Sequence, residues 1–152
     1  MRHLVLLALA ACGEAPTVDA ACFDLDPTVR IGAGSRDFER LADRAPLEVH
    51  LGPQGGYHVV YALRPSGVNP EVDATVEVVD RETGRVLTST TEWIALDAGP
   101  DSCTLEQAGL LAVLDIDSAK EVAGHVVDLH ITLTDEDRVA ENAVAVRLKV
   151  AK

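Results

Sequence analysis

The feature that most constrains the fold is an alternation of apolar and polar residues with a period of two. The clearest example runs from His125 to Leu133. Its odd-numbered positions put four aliphatic side chains on one face, namely Val127, Leu129, Ile131 and Leu133. The same period recurs over residues 47–51, 74–79 and 143–150. Alternation of this kind predicts β-strands with one buried face, and no helical apolar period of useful length competes with it.

Turn residues separate these runs and predict how they connect. Gly52–Gly56 predicts a hairpin that returns the chain into a strand over Tyr57–Leu63, because its glycines permit a sharp reversal. Asp80–Gly84 predicts a second hairpin. The segment Ser35–Asp43 predicts a helical turn with Phe38 and Leu41 facing inward. Further strands are predicted over residues 29–32, 85–94 and 110–116, with a connector over 118–124.

Seven to eight short strands at nearly regular spacing indicate an all-β domain over residues 22–152. Spacing of this kind favours an antiparallel, Ig-like β-sandwich, with a β-barrel as the alternative. The cysteine and tryptophan pattern of true immunoglobulin domains is absent, because Trp93 lies close before Cys103 and not midway between two cysteines. We therefore expect Ig-like architecture only.

The first twelve residues, MRHLVLLALAAC, indicate an export signal. Leu4–Ala11 is apolar, but as a helix it would span only about 12 Å of a hydrocarbon layer about 30 Å thick. Residues 1–11 are therefore predicted to be a signal peptide rather than a transmembrane helix. Leu9-Ala10-Ala11-Cys12 resembles the lipobox of bacterial lipoproteins. That resemblance implies cleavage before Cys12 and its lipidation with a diacylglycerol, usually with a further acyl chain such as palmitate.

An ordinary secretory signal, cut after a small residue such as Ala10, is the alternative to lipidation. If Cys12 is lipidated, residues 12–21 form a short tether between the lipid and the domain. Gly13 stands where an Asp tends to retain lipoproteins of enteric bacteria in the inner membrane. The resemblance therefore implies a cell-envelope location, at the periplasmic face or the surface of the outer membrane.

The net charge of −12 excludes several classes of partner. It repels nucleic-acid phosphates and rules out a polybasic attachment to anionic lipid. We therefore expect no nucleic-acid partner. The expected partners are the lipid bilayer, through acyl chains on Cys12, and a protein of the envelope.

The chain has three cysteines, an odd number for an exported protein. Lipidation of Cys12 leaves Cys22 and Cys103, which we expect to form a disulfide in an oxidising compartment. The bridge would close a loop of roughly 80 residues and stabilise the fold by about 4–5 kcal/mol in the chain-entropy model. Two buried free thiols are the alternative.

The segment Leu51–Val59 contains Gly-Pro-Gln-Gly-Gly followed by Tyr57 and His58. It resembles a segment of uncharacterised lipoproteins from myxobacteria and their relatives, and the resemblance covers residues 29–63. This resemblance supports the same cell-envelope location and the same fold, and it implies no activity.

No group of residues predicts catalysis, and we expect a non-enzyme without a cofactor. Histidines on predicted strands offer a metal site only if they converge, and the candidates are His58, His125 and His130. Separate histidines are the competing interpretation. The acidic turn at Asp135–Asp137 lacks the glycine and spacing of an EF-hand loop.

These observations favour a lipid-anchored, extracytoplasmic binding or structural module of the bacterial envelope. The alternative is an extracytoplasmic metal-binding protein that uses the strand histidines. A degenerate enzyme subunit is a third reading.

Overall fold

The structure is a computed structural model that describes residues 16–151. The predicted signal peptide (residues 1–11), the predicted lipidation site Cys12 and the first part of the tether lie outside the described residues.

The chain is all-β, with ten strands and two short 3₁₀ turns in the described part. The strands are β1 (Thr28–Ala33), β2 (Glu39–Arg40), β3 (Ala45–Leu51), β4 (Tyr57–Ser66), β5 (Glu71–Asp80), β6 (Val86–Ala95), β7 (Asp97–Ala98), β8 (Leu105–Leu114), β9 (Val126–Asp135) and β10 (Arg138–Val150). The 3₁₀ turns are Ala20–Asp24 and Ala119–Glu121. The first turn begins two residues before the predicted domain boundary at Cys22.

The strands join in the order β2-β1-β4-β3-β10-β9-β5-β6, and β8 pairs with β4 and β7. Residues 57–59 of β4 pair with β3 on one edge and with β8 on the other. Most pairs are antiparallel, but β3 runs parallel to β10 from Ala45↔Val146 to Val49↔Val150. The expectation of purely antiparallel pairing is therefore wrong at this pair. Because β3 also pairs with β4, it joins the β1–β4–β8 strands to the β10–β9–β5–β6 strands.

The predicted hairpins form where the turn residues stand. The β3–β4 hairpin closes with Gly52 N–H donating to Gly56 O at 2.7 Å. The β5–β6 hairpin closes with Gly84 N–H donating to Asp80 O at 2.7 Å. The β9–β10 turn places Glu136 at a φ of 44°, a left-handed conformation that glycine adopts more easily.

The core consists almost entirely of aliphatic side chains. On β9, the four residues predicted to share a face are all at most 1% exposed: Val127, Leu129, Ile131 and Leu133. They pack in one cluster with Val76 and Val78 of β5 and with Val59, Tyr61 and Leu63 of β4. The alternation in the sequence therefore locates the buried face of β5 and of β9 correctly, whereas Val150, predicted to share the buried face of the last strand, is exposed.

The helical turn predicted over residues 35–43 does not form. Residues 39–40 are instead the short strand β2, which pairs with β1 at Gly32 and Ala33. Phe38 holds the loop down, because its ring covers Gly32 so closely that a Cβ there would meet Cε2 at 2.7 Å. The backbone N–H of Phe38 also donates to Glu106 on β8, at 3.1 Å. These tertiary contacts outweigh the weak local helical pattern.

Candidate functional site

The chain enters the domain at an end where four segments meet, and we call it the entry end. It comprises the 3₁₀ turn Ala20–Asp24, the turn 66–70, the loop 99–104 and the β9–β10 turn at 136–137. A disulfide joins Cys22 of the 3₁₀ turn to Cys103 of the loop, with their Cα atoms 5.2 Å apart. Cys22 is fully buried. The predicted pair of cysteines therefore closes a covalent link at the point where the chain enters the fold.

Arg138, the first residue of β10, holds the same entering segment. Its Nη1 donates to Phe23 O at 2.7 Å and its Nη2 donates to Leu25 O at 2.6 Å. Its guanidinium also lies 5.6 Å from the centre of the Phe23 ring. Charged donors make the stronger hydrogen bonds, so this one side chain fixes two residues of the entering segment, Phe23 and Leu25.

Asp135 fixes the neighbouring turn. It is only 6% exposed and accepts hydrogen bonds from the backbone N–H of Asn69 at 2.8 Å and from its Nδ2 at 2.7 Å. Asp135 of the acidic turn therefore has a structural role, because both of its carboxylate oxygens accept hydrogen bonds from amide donors.

A surface concavity of about 450 Å³ opens beside this turn, around Trp93. Trp93, the only tryptophan of the chain, is 60% exposed on β6 and stands opposite Asp73 of β5. Glu71 and Glu136 also line the concavity. Large exposed aromatic side chains are over-represented at protein contacts, so this concavity is a candidate contact surface.

The three candidate histidines lie in three different surroundings. His58 on β4 stands directly opposite His50 on β3, and their ring centres are 5.9 Å apart. His125 precedes β9 and contacts Asp80. His130 is exposed on β9, between Glu77 of β5 and Ala143 of β10. The contacts of His58 are thus with His50, a residue outside the predicted trio, and not with His125 or His130.

His125 forms a polar cluster with two acidic residues of the β5–β6 turn. Its Nδ1 lies 2.9 Å from Oδ2 of the buried Asp80, and its Nε2 lies 3.6 Å from Oε2 of Glu82. The hydrogen bond to Asp80 raises the pKa of His125, against the effect of burial, and the charges of Asp80 and Glu82 add to it. Burial opposes ionisation of Asp80, but hydrogen bonds from His125, the Glu82 backbone and Thr83 outweigh it and lower the pKa of Asp80.

The sequence pattern did not single out His50 or Arg138. Only His50 has a sequence signal that could have found it. His50 lies on the same strand face as Glu48 and two residues before the hairpin turn, so hairpin symmetry about residue 54 places it opposite His58. No comparable rule identifies Arg138, because its partners are backbone carbonyls distant in sequence.

Two kinds of feature are absent from residues 16–151. No three or more His, Cys, Asp or Glu side chains are grouped there so as to hold a metal ion. The described residues also include no helix with the length and apolar character needed to cross a membrane.

Comparisons with known proteins give only weak structural likeness. No protein-family model matches the chain, and no curated protein matches it in sequence. Among solved structures, the chain is similar to the CooA pilin subunit from enterotoxigenic Escherichia coli. The match has a TM-score of 0.35 and 13% identity, and it covers 82% of this chain and 99% of the pilin chain. A likeness at this level carries no argument about function.

Proposed function

We propose that this protein is a lipid-anchored, extracytoplasmic binding or structural module of the bacterial envelope that performs no catalysis. The observation that carries the proposal is the double attachment of the entering segment, by the Cys22–Cys103 bond and by Arg138. A domain tethered to a bilayer by a segment at this end transmits any pull on the tether to these residues first. The disulfide and the charged hydrogen bonds of Arg138 would hold the segment against such a pull, as a tethered domain requires.

The charge of the chain supports a lipid as the means of attachment. At a net charge of −12, an anionic membrane surface repels the domain rather than attracting it. A single acyl chain binds a protein only marginally, whereas two or more hold it stably. Two or three chains on Cys12 would therefore be needed, and sufficient, for attachment.

The finer fold assignment belongs to the same proposal. We assign the domain to an Ig-like β-sandwich, in which β1, β4 and β8 face β5, β9 and β10 across the aliphatic core. The support is that Val59, Tyr61 and Leu63 of β4 cluster with the buried residues of β5 and β9, although these strands do not pair. In this arrangement β3 is the strand that passes from one layer to the other.

The test of the anchor is metabolic labelling with a radioactive or clickable palmitate in a bacterial host, followed by membrane fractionation. We expect the wild-type chain to be labelled and to sediment with membranes. We expect Cys12→Ser to lose the label, to keep its leader and to change its fractionation. A Cys12→Ser protein that is processed normally and stays membrane-bound would show that attachment does not depend on this cysteine.

The test of the binding role uses Trp93 as the contact. A photo-crosslinking amino acid is placed at position 93 in cells, with position 130 on the exposed side of β9 as the matched control. We expect a discrete crosslinked envelope protein from position 93 and none from position 130. Equal, diffuse crosslinking from both positions would remove the support for a partner at this surface.

A further inference from the structure

One long strand of the domain has an open edge. Within residues 16–151, β6 pairs with β5 and with no other strand. Leu96 N–H donates to Pro70 O, so the alternate residues of β6 turn their own N–H and C=O groups away from β5. These exposed residues are Ser89, Thr91, Trp93 and Ala95. β6 therefore presents a row of backbone donors and acceptors to solvent.

The features that commonly protect an edge strand are missing from most of this edge. Lysine, proline and β-bulges often prevent such strands from pairing with other chains. The pairing of β6 with β5 is irregular only at its start, where Leu87 O also accepts a hydrogen bond from Asp115 N–H. Residues 89–95 contain neither lysine nor proline, and Glu92 is their only charged residue. From Ser89 onward, the edge is open to an added strand.

The surface beside this edge is acidic. Trp93 stands opposite Asp73 on the outer face of the sheet, and Glu71 lies two residues before Asp73 on the same face of β5. The Cα atoms of such a non-hydrogen-bonded pair are only about 4.5 Å apart, so the indole and the carboxylate are close neighbours. Glu136 lines the same concavity. No ion pair within residues 16–151 involves Glu71, Asp73 or Glu136, so their charges are available to a partner.

We propose that β6 accepts an extended, lysine- or arginine-rich segment of a partner protein as an added antiparallel strand. Backbone groups of the segment pair with those of residues 89–95, in a recurring mode of peptide recognition. The side chain opposite Trp93 then projects onto the same outer face. A cationic side chain at that position lies beside the indole ring and within reach of Asp73, so it gains a cation–π contact and an ion pair.

Charge selects this partner over a second copy of the chain. A second copy brings the same net charge of −12, and a β6–β6 pair places two identical acidic flanks side by side. Like charges across an interface oppose association, whereas a basic segment is attracted. This inference rests on the proposed binding role and specifies the chemistry of its partner, and it does not involve the lipid anchor.

Fluorescence titration of the purified full-length protein tests the inference, because Trp93 is the only tryptophan of the chain. The probe is an acetylated and amidated octapeptide that alternates lysine with threonine, and the control peptide has glutamate in place of lysine. We expect the lysine peptide to change the emission of Trp93 saturably, with a dissociation constant below about 1 mM that rises with salt concentration. The glutamate peptide should have no effect.

Two N-methylated forms of the lysine peptide separate strand addition from simple charge attraction. In the proposed pairing, the residues with side chains on the outer face are also those whose N–H groups point at β6. Lysines occupy these positions, so methylating their amide nitrogens should weaken binding at least about tenfold through the lost hydrogen bonds. Methylating the threonine nitrogens should weaken it far less. In hydrogen exchange, the unmodified lysine peptide should protect residues 89–95.

Asp73→Asn tests the acidic flank, and Glu141→Gln is its matched control. Glu141 is an exposed carboxylate on β10, two strands away from β5, so its replacement changes the net charge equally. Asp73→Asn should weaken binding of the lysine peptide by about threefold to fivefold, whereas Glu141→Gln should leave it unchanged. Trp93→Ala, followed by hydrogen exchange, should lose the protection by the peptide. Circular dichroism establishes that each variant folds.

The inference is wrong if the wild-type protein does not bind the lysine peptide up to about 1 mM, or if the glutamate peptide binds equally well. It is also wrong if the two N-methylated peptides bind alike. Protection of residues 89–95 that increases with protein concentration in the absence of peptide would identify a second copy as the occupant and overturn it. If position 93 still crosslinks a discrete envelope protein after such a result, the binding role stands and only the basic strand is excluded.

Discussion

Two glycines with almost the same backbone conformation have different surroundings, and this separates backbone strain from steric conflict. Gly84 has a φ of 70° and Gly109 a φ of 74°. A Cβ on Gly84 would meet nothing within 4 Å, whereas a Cβ on Gly109 would lie 2.8 Å from the backbone oxygen of Ser35. Gly109 also donates its N–H to Gly34 O at 3.1 Å, so the loop before β2 rests directly on β8.

We predict that Gly109→Ala lowers the free energy of unfolding more than Gly84→Ala does. The left-handed conformation alone costs an alanine about 1 kcal/mol, which is the loss expected at Gly84. At Gly109 the loop must also move, and we expect a total loss of about 2–3 kcal/mol. Urea denaturation of the two variants measures the difference. Equal losses would mean that the loop moves away from β8 freely.

The Asp80–His125 pair predicts how stability depends on pH. The pKa of His125 is raised in the fold above its ordinary value of 6.5, so its contribution is complete below pH 6.5 and is lost as the pH rises through the folded value. The pKa of Asp80 is lowered from 3.8, so its contribution is lost only as the pH falls below that range. We therefore expect the unfolding free energy to fall as the pH rises above about 6.5.

The matched experiment repeats the pH series on His125→Gln and on His130→Ala. The His125→Gln protein should be less stable at pH 6 and should show a flatter profile above it. The His130→Ala protein should keep the wild-type slope, because His130 is exposed on the opposite side of β9 from the core. If His125→Gln kept the same slope, the ion pair would not be its source.

At the scale of elements, β5, β9 and β10 could be predicted because each carries its own two-residue period. β9 and β5 are buried along one face as the sequence indicates. Two elements could not be predicted. β2 depends on Phe38 covering Gly32, and the parallel pairing of β3 with β10 joins segments about a hundred residues apart. Alternation identifies which side of a strand is buried, but it contains no information about the neighbouring strand or its direction.

The second 3₁₀ turn shows a local signal that was present in the sequence. Ser118 and Glu121 form a capping box, in which the serine hydroxyl accepts from Lys120 N–H and Oε1 of Glu121 accepts from Ser118 N–H. The pattern Ser-x-x-Glu predicts such a start. The segment was expected to be only a connector, because Gly124 follows after a single short turn.

At the scale of elements, the prediction concerns the hydrogen bonds that Arg138 donates to the entering segment. Arg138→Ala removes two hydrogen bonds from a charged donor to the entering segment, and we expect a loss of about 2 kcal/mol in unfolding free energy. Arg81→Ala is the control, because Arg81 also makes two hydrogen bonds, to Asp128, but on an exposed part of the surface. Its removal should cost less than the removal of Arg138 does, because solvent screens an exposed ion pair. Hydrogen exchange should show faster opening of residues 20–27 in Arg138→Ala alone.

At the scale of the whole molecule, the surroundings of the candidate histidines were only half predictable. His58 was singled out from its place beside the glycine-rich turn, but its partner depends on the register of the hairpin. Once the Gly52–Gly56 turn is known to close with Gly52 opposite Gly56, the positions 50 and 58 are forced into opposition. The grouping with His125 and His130 failed because strand order, which the sequence does not contain, places them elsewhere.

The disulfide is the interaction whose removal should affect the whole domain. The bond joins positions separated by 81 residues, so it restricts the unfolded chain over more than half its length. In the chain-entropy model a loop of this size stabilises the fold by about 4–5 kcal/mol. The double variant Cys22→Ser, Cys103→Ser should lose that amount in urea denaturation, and a reducing agent should destabilise wild type similarly.

Cys12→Ser makes the same change of side chain outside the described domain and should leave the unfolding free energy unchanged. A loss below about 1 kcal/mol in the double variant would mean that Arg138 and the buried packing of residue 22 hold the entering segment without the bond, and that the unfolded chain is already compact at this distance.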